Sequence, residues 1–175
     1  ILRKIEHADS ILSTTLHGKK ERPKIFIFDI ETAPMVSYHF DRWKTSIQPE
    51  KTINDTFMLC WSGMWVGDDK VFSECITPDE VNDCYDGRIV SKLWDQFNKA
   101  DYVVAYNGRH FDIPYTNARF LVNGMNPPTP YIIVDPIETL KKNFKFTSNS
   151  MDHIAEQLGL SKKIKTDFDL WRGCM

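Results

Sequence analysis

Apolar positions along this chain fall into two periods. In KIFIFDI (24–30) and YVVAYN (102–107) they form short, nearly continuous runs, the pattern of strands buried on both faces inside a sheet. FMLCWSGMWV (57–66) and KVFSECI (70–76) are β-rich runs joined through Gly-Asp-Asp, which predicts a hairpin. YIIVD (131–135) follows PPTP and predicts a further short strand. Elsewhere the period is helical. RIVSKLWDQFNKA (88–100) sets Ile89, Leu93, Phe97 and Ala100 on one face. FDIPYTNARFLVNG opens a helix with Pro114 in its first turn and Gly124 past its end. IETLKKNF and SMDHIAEQLG predict two more, the second with Ser150 as N-cap and Gly159 as its stop. At the N-terminus, ILRKIEHADSILSTTL has apolar residues at helical spacing, followed by Gly18 and a charged KKER linker. Residues 33–55 read as irregular, with Pro34, Pro49 and several exposed aromatics.

The order is three antiparallel strands, then helix, strand, helix, strand and further helices. It predicts an α/β domain with a mixed five-stranded sheet flanked by helices, spanning 24–175 after an N-terminal helix and linker (1–23). A chain of 175 residues, 42% hydrophobic and 26% charged, suits one domain with a core. No apolar run reaches the length of a membrane span, and the first residues lack a signal-peptide core. The chain starts at Ile1 rather than Met, so residues are expected to precede it. The net charge of −2 is low for a binder that works by general charge attraction, yet compatible with an enzyme whose acids face metal. Cys60, Cys75, Cys84 and Cys174 include no C-x-x-C pair, which fits reduced cytosolic thiols.

The chemistry concentrates at IFIFDIET, where Asp29 and Glu31 stand one residue apart at the end of an apolar strand. Side chains alternate along a strand, so both acids share a side, roughly 7 Å apart at the backbone. Two carboxylates that close repel each other and resist desolvation, and a hard divalent cation such as Mg²⁺ or Mn²⁺ relieves both costs. An acid at a strand end also serves as a turn former, so D-x-E alone carries little. VVAYNGRHFD (103–112) adds to it: a second strand runs into a turn, and Asp112 opens the helix beyond. Alone, Asp112 would be an N-cap, and Asn107 and Gly108 ordinary turn residues. Together the two stretches predict three carboxylates meeting at sheet ends.

FDIET (28–32) resembles the first motif of the DnaQ-like (DEDD) 3′–5′ exonucleases, which have a ribonuclease H-like fold. N-x-x-x-F-D, at Asn107, Phe111 and Asp112, resembles their second motif in the form found in proofreading domains of family B polymerases. The likeness runs from about Lys24 to the C-terminus and is closest to phage-type members, through FKFTSNSMDHIAEQLGLSKKIK and DLWRGCM. It implies a nuclease in which Asp29, Glu31 and Asp112 hold two divalent cations, Mg²⁺ or Mn²⁺, roughly 4 Å apart. Thr32, Asn107 and Phe111 would then seat the 3′-terminal nucleotides. It also implies DNA with single-stranded 3′ ends as substrate, a polymerase or another replication or repair protein as partner, and a cytoplasmic location (a bacterial host if phage-encoded).

The family's third motif, Y-x-x-x-D or H-x-x-x-x-D on a late helix, has one literal match, Tyr131 to Asp135. Its β-branched interior predicts strand instead, with Asp135 capping the helix that begins at Pro136. The missing acid is expected beyond Met175, so the 175-residue form is expected to hold metal less tightly and to cleave poorly. His110, Asp152 and His153 are expected to be surface or first-turn residues. Lys141, Lys142 and Lys145 with KKNFKF, and Lys162 and Lys163 with KKIKTDFDLW, could track a nucleic-acid backbone beside stacking rings, or form a solvated helix face. Two further classes stay open: an exonuclease-fold module that binds nucleic acid or a protein without cleaving, and a related RNA exonuclease or endonuclease.

Overall fold

Strand β1, Ile25–Thr32, organises the molecule. A computed structural model describes residues 22–40, 43, 46–160 and 168–173. In it β1 is flanked by β4 (Met58–Trp65), running antiparallel, and by β6 (Tyr102–Val104), running parallel. Beyond them lie the edge strands β5 (Val71–Cys75) and β7 (Ile132–Val134), giving the order β5-β4-β1-β6-β7. Two more strands, β2 (Val36–Ser37) and β3 (Thr52–Asn54), pair as a small separate ribbon, with a 3₁₀ turn at Pro49–Lys51 between them. The stretch read as irregular therefore contains an element too short to show a period of two.

The central place of β1 is as expected, but its burial is not. Phe26, Phe28 and Ile30 are buried, whereas Ile27 and Asp29 between them are exposed. Among the described residues only one face of β1 is packed, so the both-faces reading of IFIFDI is corrected: apolar side chains lie on the open face too, Ile27 with Val71, Ile132 and Val134.

On the packed face lie α2 (Gly87–Phe97) and α3 (Asp112–Val122). The helical spacing read from the sequence is the one that packs: Ile89, Val90, Leu93 and Phe97 meet Phe26, Phe28 and Ile30 in one core with Ile113 and Phe120. Phe97 makes edge contacts with Phe28 and Phe120 at 4.9 and 5.5 Å between ring centres, a favoured aromatic arrangement. The indole N–H of Trp61 donates to Ile89 O at 2.8 Å and ties β4 to α2.

A short helix, α1 (Pro78–Asn82), was not anticipated, although Thr77-Pro-Asp-Glu80 spells a capping box and the structure forms both of its hydrogen bonds. After β7 come α4 (Pro136–Asn143) and α5 (Met151–Gln157), the latter capped by Ser150 as expected. The chain turns after α3 and α5 at Gly124 and Gly159, both at positive φ. Helix α6 (Phe168–Gly173) sends Trp171 onto a second small core of Ala33, Phe57 and Leu59, just past β1. The N-terminal helix expected at 1–16, and Lys162 and Lys163, lie outside the described residues. Among those residues no helix is long and apolar enough to cross a membrane.

Candidate functional site

The ladder between β1 and β6 ends at Ile27–Val104, so the last residues of β1 run on past β6. Val66 N–H bonds Ile25 O, so the odd-numbered residues of β1 pair with β4 and the N–H of Ile30 points the other way. Among the described residues no strand is there to accept it. Asp112, the first residue of α3, fills the place: its Oδ1 accepts the Ile30 N–H at a long 3.4 Å. Two acids predicted from stretches far apart in sequence are thereby neighbours. Asp29 lies on the exposed face of β1, while Asp112 is buried at 5% exposure. Glu31 is half-buried on the same strand face as Asp29, and a register shift follows between it and Thr32. Such an irregularity at a strand end re-aims the side chains on either side of it.

Burial, and next to it the charge of Asp29, push the Asp112 carboxyl up to about 6. Its own N–H and that of Ile30 pull the other way, and Asp135 adds a smaller upward push. The helix start and one long hydrogen bond therefore do not offset desolvation and like charge.

Between β6 and α3 the chain makes a tight loop. Asn107 adopts φ of 60°, a left-handed conformation that asparagine tolerates better than most residues. A Cβ at Gly108 would run into Ala105. What holds the loop is Asp135. The register Val104–Val134 sets the ends of β6 and β7 side by side, and Asp135 is the first residue past β7. Its buried carboxylate accepts the N–H of Asn107 at 2.9 Å and of Arg109 at 3.2 Å, besides that of Ile137 at 3.2 Å in capping α4. The capping role was expected and the clamp was not; the sequence signal is an acid just past the strand neighbouring the motif strand. Arg109 is drawn the same way, to Glu138 at 2.9 Å and Ile133 O at 3.3 Å. Phe111 is left half-exposed at the mouth of the loop, stacked on Tyr115 with ring centres 5.8 Å apart.

The other predicted residues are spread out. Lys141 and Lys142 are exposed in the last turn of α4, with Lys145 just beyond. Eight residues of helix put them roughly 10 Å from the end that Asp135 caps. His110 is exposed, and His153 bonds Thr147 at 2.9 Å.

The donors suit a divalent cation in kind: hard carboxylate oxygens, one of them buried against a like charge. Among the described residues no group of three or more His, Cys, Asp and Glu side chains is placed to hold an ion by itself.

Comparison with known proteins bears on the fold. The chain is similar in structure to a family B DNA polymerase from the hyperthermophilic archaeon Pyrobaculum calidifontis, with a TM-score of 0.57 and 16% identity. The match covers 84% of this chain and 20% of the polymerase, so this chain corresponds to about a fifth of that protein's length. No curated protein matches the sequence. A family model described as the RNase_H superfamily matches residues 26–169, from β1 into α6. That span includes all but the first residue of the mixed five-stranded sheet, and the chain belongs to the RNase H superfamily.

Proposed function

We propose that this chain is a metal-dependent 3′–5′ exonuclease that hydrolyses phosphodiester bonds at DNA 3′ ends. The observation that carries the reading is the meeting of Asp112 with the end of β1, where burial and Asp29 keep its carboxyl near 6. Membership of the RNase H superfamily supports a nuclease. The choice of a 3′ exonuclease acting on DNA rests on the two motifs, FDIET and N-x-x-x-F-D.

Asp29, Glu31 and Asp112 would hold two divalent cations, Mg²⁺ or Mn²⁺. When bound, these supply the charge that activates water and stabilises the leaving oxygen. The chain's own residues do the rest. Asp112 is fixed by the Ile30 N–H and by the start of α3, so its oxygens face a defined place. Phe111, backed by Tyr115, offers a ring on which a terminal base stacks. Asn107, held by the Asp135 clamp, and Thr32, past the register shift, would help seat the 3′-terminal nucleotides. The lysines of α4 would track the backbone farther along.

The likeness to a family B polymerase supports a polymerase or another replication or repair protein as partner, and a cytoplasmic setting follows from such work. A second reading, a module that binds nucleic acid without cleaving, is favoured by the lack of a three-ligand group among the described residues.

The test is a panel of 5′-labelled single-stranded DNA, duplex DNA and RNA incubated with Mn²⁺. The expected outcome is DNA shortened in single-nucleotide steps from its 3′ end, with RNA cut more slowly. Binding without shortening on every substrate would establish the module instead.

A further inference from the structure

Strands β4 and β5 bring two cysteines face to face. Cys60 is in register with Cys75, and one row along, the Ile76 N–H donates to Leu59 O at 2.9 Å. Hydrogen-bonded and non-hydrogen-bonded pairs alternate along an antiparallel ladder, so Leu59–Ile76 is of the first kind and Cys60–Cys75 of the second. In such a pair the Cα atoms stand about 4.5 Å apart, and the Cβ atoms come closest, also near 4.5 Å. A disulfide needs Cα atoms roughly 4.4–6.8 Å apart and Cβ atoms roughly 3.5–4.5 Å apart. The spacing of such a pair in an ordinary ladder falls within those limits.

Access is equally favourable. Both residues are thiols, Cys75 exposed and Cys60 half-buried, and β5 is an edge strand that an oxidant reaches from solvent. Cys84, in the turn after α1, has no facing cysteine in the ladder. Cys60 is also in register with Glu31 across β1, so Glu31, Cys60 and Cys75 form one row over three strands.

We propose that Cys60 and Cys75 are an oxidation site, a dithiol that a peroxide converts to a cross-strand disulfide. The Cys75 thiolate attacks a peroxide oxygen, the O–O bond breaks, and a sulfenic acid and hydroxide result. The Cys60 sulfur then attacks the Cys75 sulfur. The S–O bond breaks as S–S forms, and the departing hydroxyl takes the Cys60 proton as water. In sum, two thiols and one hydrogen peroxide give one disulfide and two waters. A small dithiol reverses it through a mixed disulfide. The disulfide closes a short loop and staples the edge strand onto the sheet, in the same row as Glu31. This inference rests on register alone and does not depend on the proposed nuclease activity.

The test treats the reduced chain with graded hydrogen peroxide, blocks remaining thiols by alkylation and maps tryptic peptides by mass spectrometry. Lys70 lies between the two cysteines, so a link joins two peptides; Cys84 shares a peptide with Cys75, and a C84S variant removes that ambiguity. The expected result is a Cys60–Cys75 cross-link and a melting temperature raised by roughly 5–10 °C, both reversed by dithiothreitol. Cys60→Ser and Cys75→Ser should each abolish the two effects, and Cys84→Ser neither. Conversion of Cys75 to sulfinic or sulfonic acid without a cross-link would overturn the proposal, as would a dominant link through Cys84 or Cys174.

Discussion

Two buried aspartates in this molecule are treated in opposite ways. Asp86, at the N-cap position of α2, is fully buried and fully answered. Arg119 grips it with two bonds of 2.7 Å, the Met58 N–H adds one of 2.8 Å, and the Asn123 side chain one of 2.9 Å. Asp112 is almost as deeply buried, yet besides its own N–H it has only one long hydrogen bond among the described residues, and two like charges lie nearby. Both sit at helix ends and both join a helix to a strand. The first is a closed structural unit; the second carries a charge that the described residues do not balance. The Asp86–Arg119 pair also fixes α3 to β4 and α2, and α3 is the helix that presents Asp112. The balanced acid thus positions the unbalanced one.

The largest effect expected from breaking this contrast is at Asp86. Asp86→Ala leaves Arg119 buried without its partner and should cost about 3–5 kcal/mol. Calorimetry should then show the melting temperature lowered by roughly 10 °C or more. Replacing Arg119 by Met in the same molecule should recover much of the loss, because the stranded charge goes with it.

The opposite sign is expected at Asp112. Its carboxyl rises from the ordinary 3.8 to about 6 on folding, so the folded state holds that proton more tightly. This contribution is fully present below about pH 4 and lost as pH rises through about 6. Above that, the ionised group costs on the order of 3 kcal/mol. Asp112→Asn keeps an acceptor for Ile30 without the charge. It should stabilise the fold at pH 8 by up to about 3 kcal/mol, make no difference at pH 4, and lower cleavage by about 100-fold or more. Denaturant unfolding at the two pH values reads the stability difference. Equal stabilisation at both would remove the like-charge explanation.

A smaller change should follow at Asp135. Asp135→Ala frees the Asn107 and Arg109 amides and should cost about 2 kcal/mol. The sharper readout is hydrogen exchange: those two amides should lose protection while the α2 core keeps it.

Much of this was legible in the sequence, and the parts that were not share a cause. β1, the β4–β5 hairpin and the faces of α2 and α3 follow from local periods, and the Ser150 and Asp135 caps from local turn chemistry. The open face of β1 did not show, because Ile27 is apolar at an exposed position and IFIFDI reads as buried throughout. The convergence of Asp29 with Asp112 was legible only because strand order puts the ends of β1 and β6 together. The Asp135 clamp and the Asp86–Arg119 lock span 28 and 33 residues of chain, and no local pattern points to either. The small β2–β3 ribbon escaped for a different reason, having too few residues for any period.

The most direct test of the central claim is calorimetric titration of Mn²⁺ into the intact chain and into Asp112→Asn at pH 6 and pH 8. The expected result is saturable binding by the unmodified chain, tighter at pH 8, with protons released at pH 6 as Asp112 ionises, and at least about tenfold weaker binding by the variant. Equal affinity of the two proteins at both pH values would contradict it, and would mean that the buried acid beside β1 is not where the metal goes.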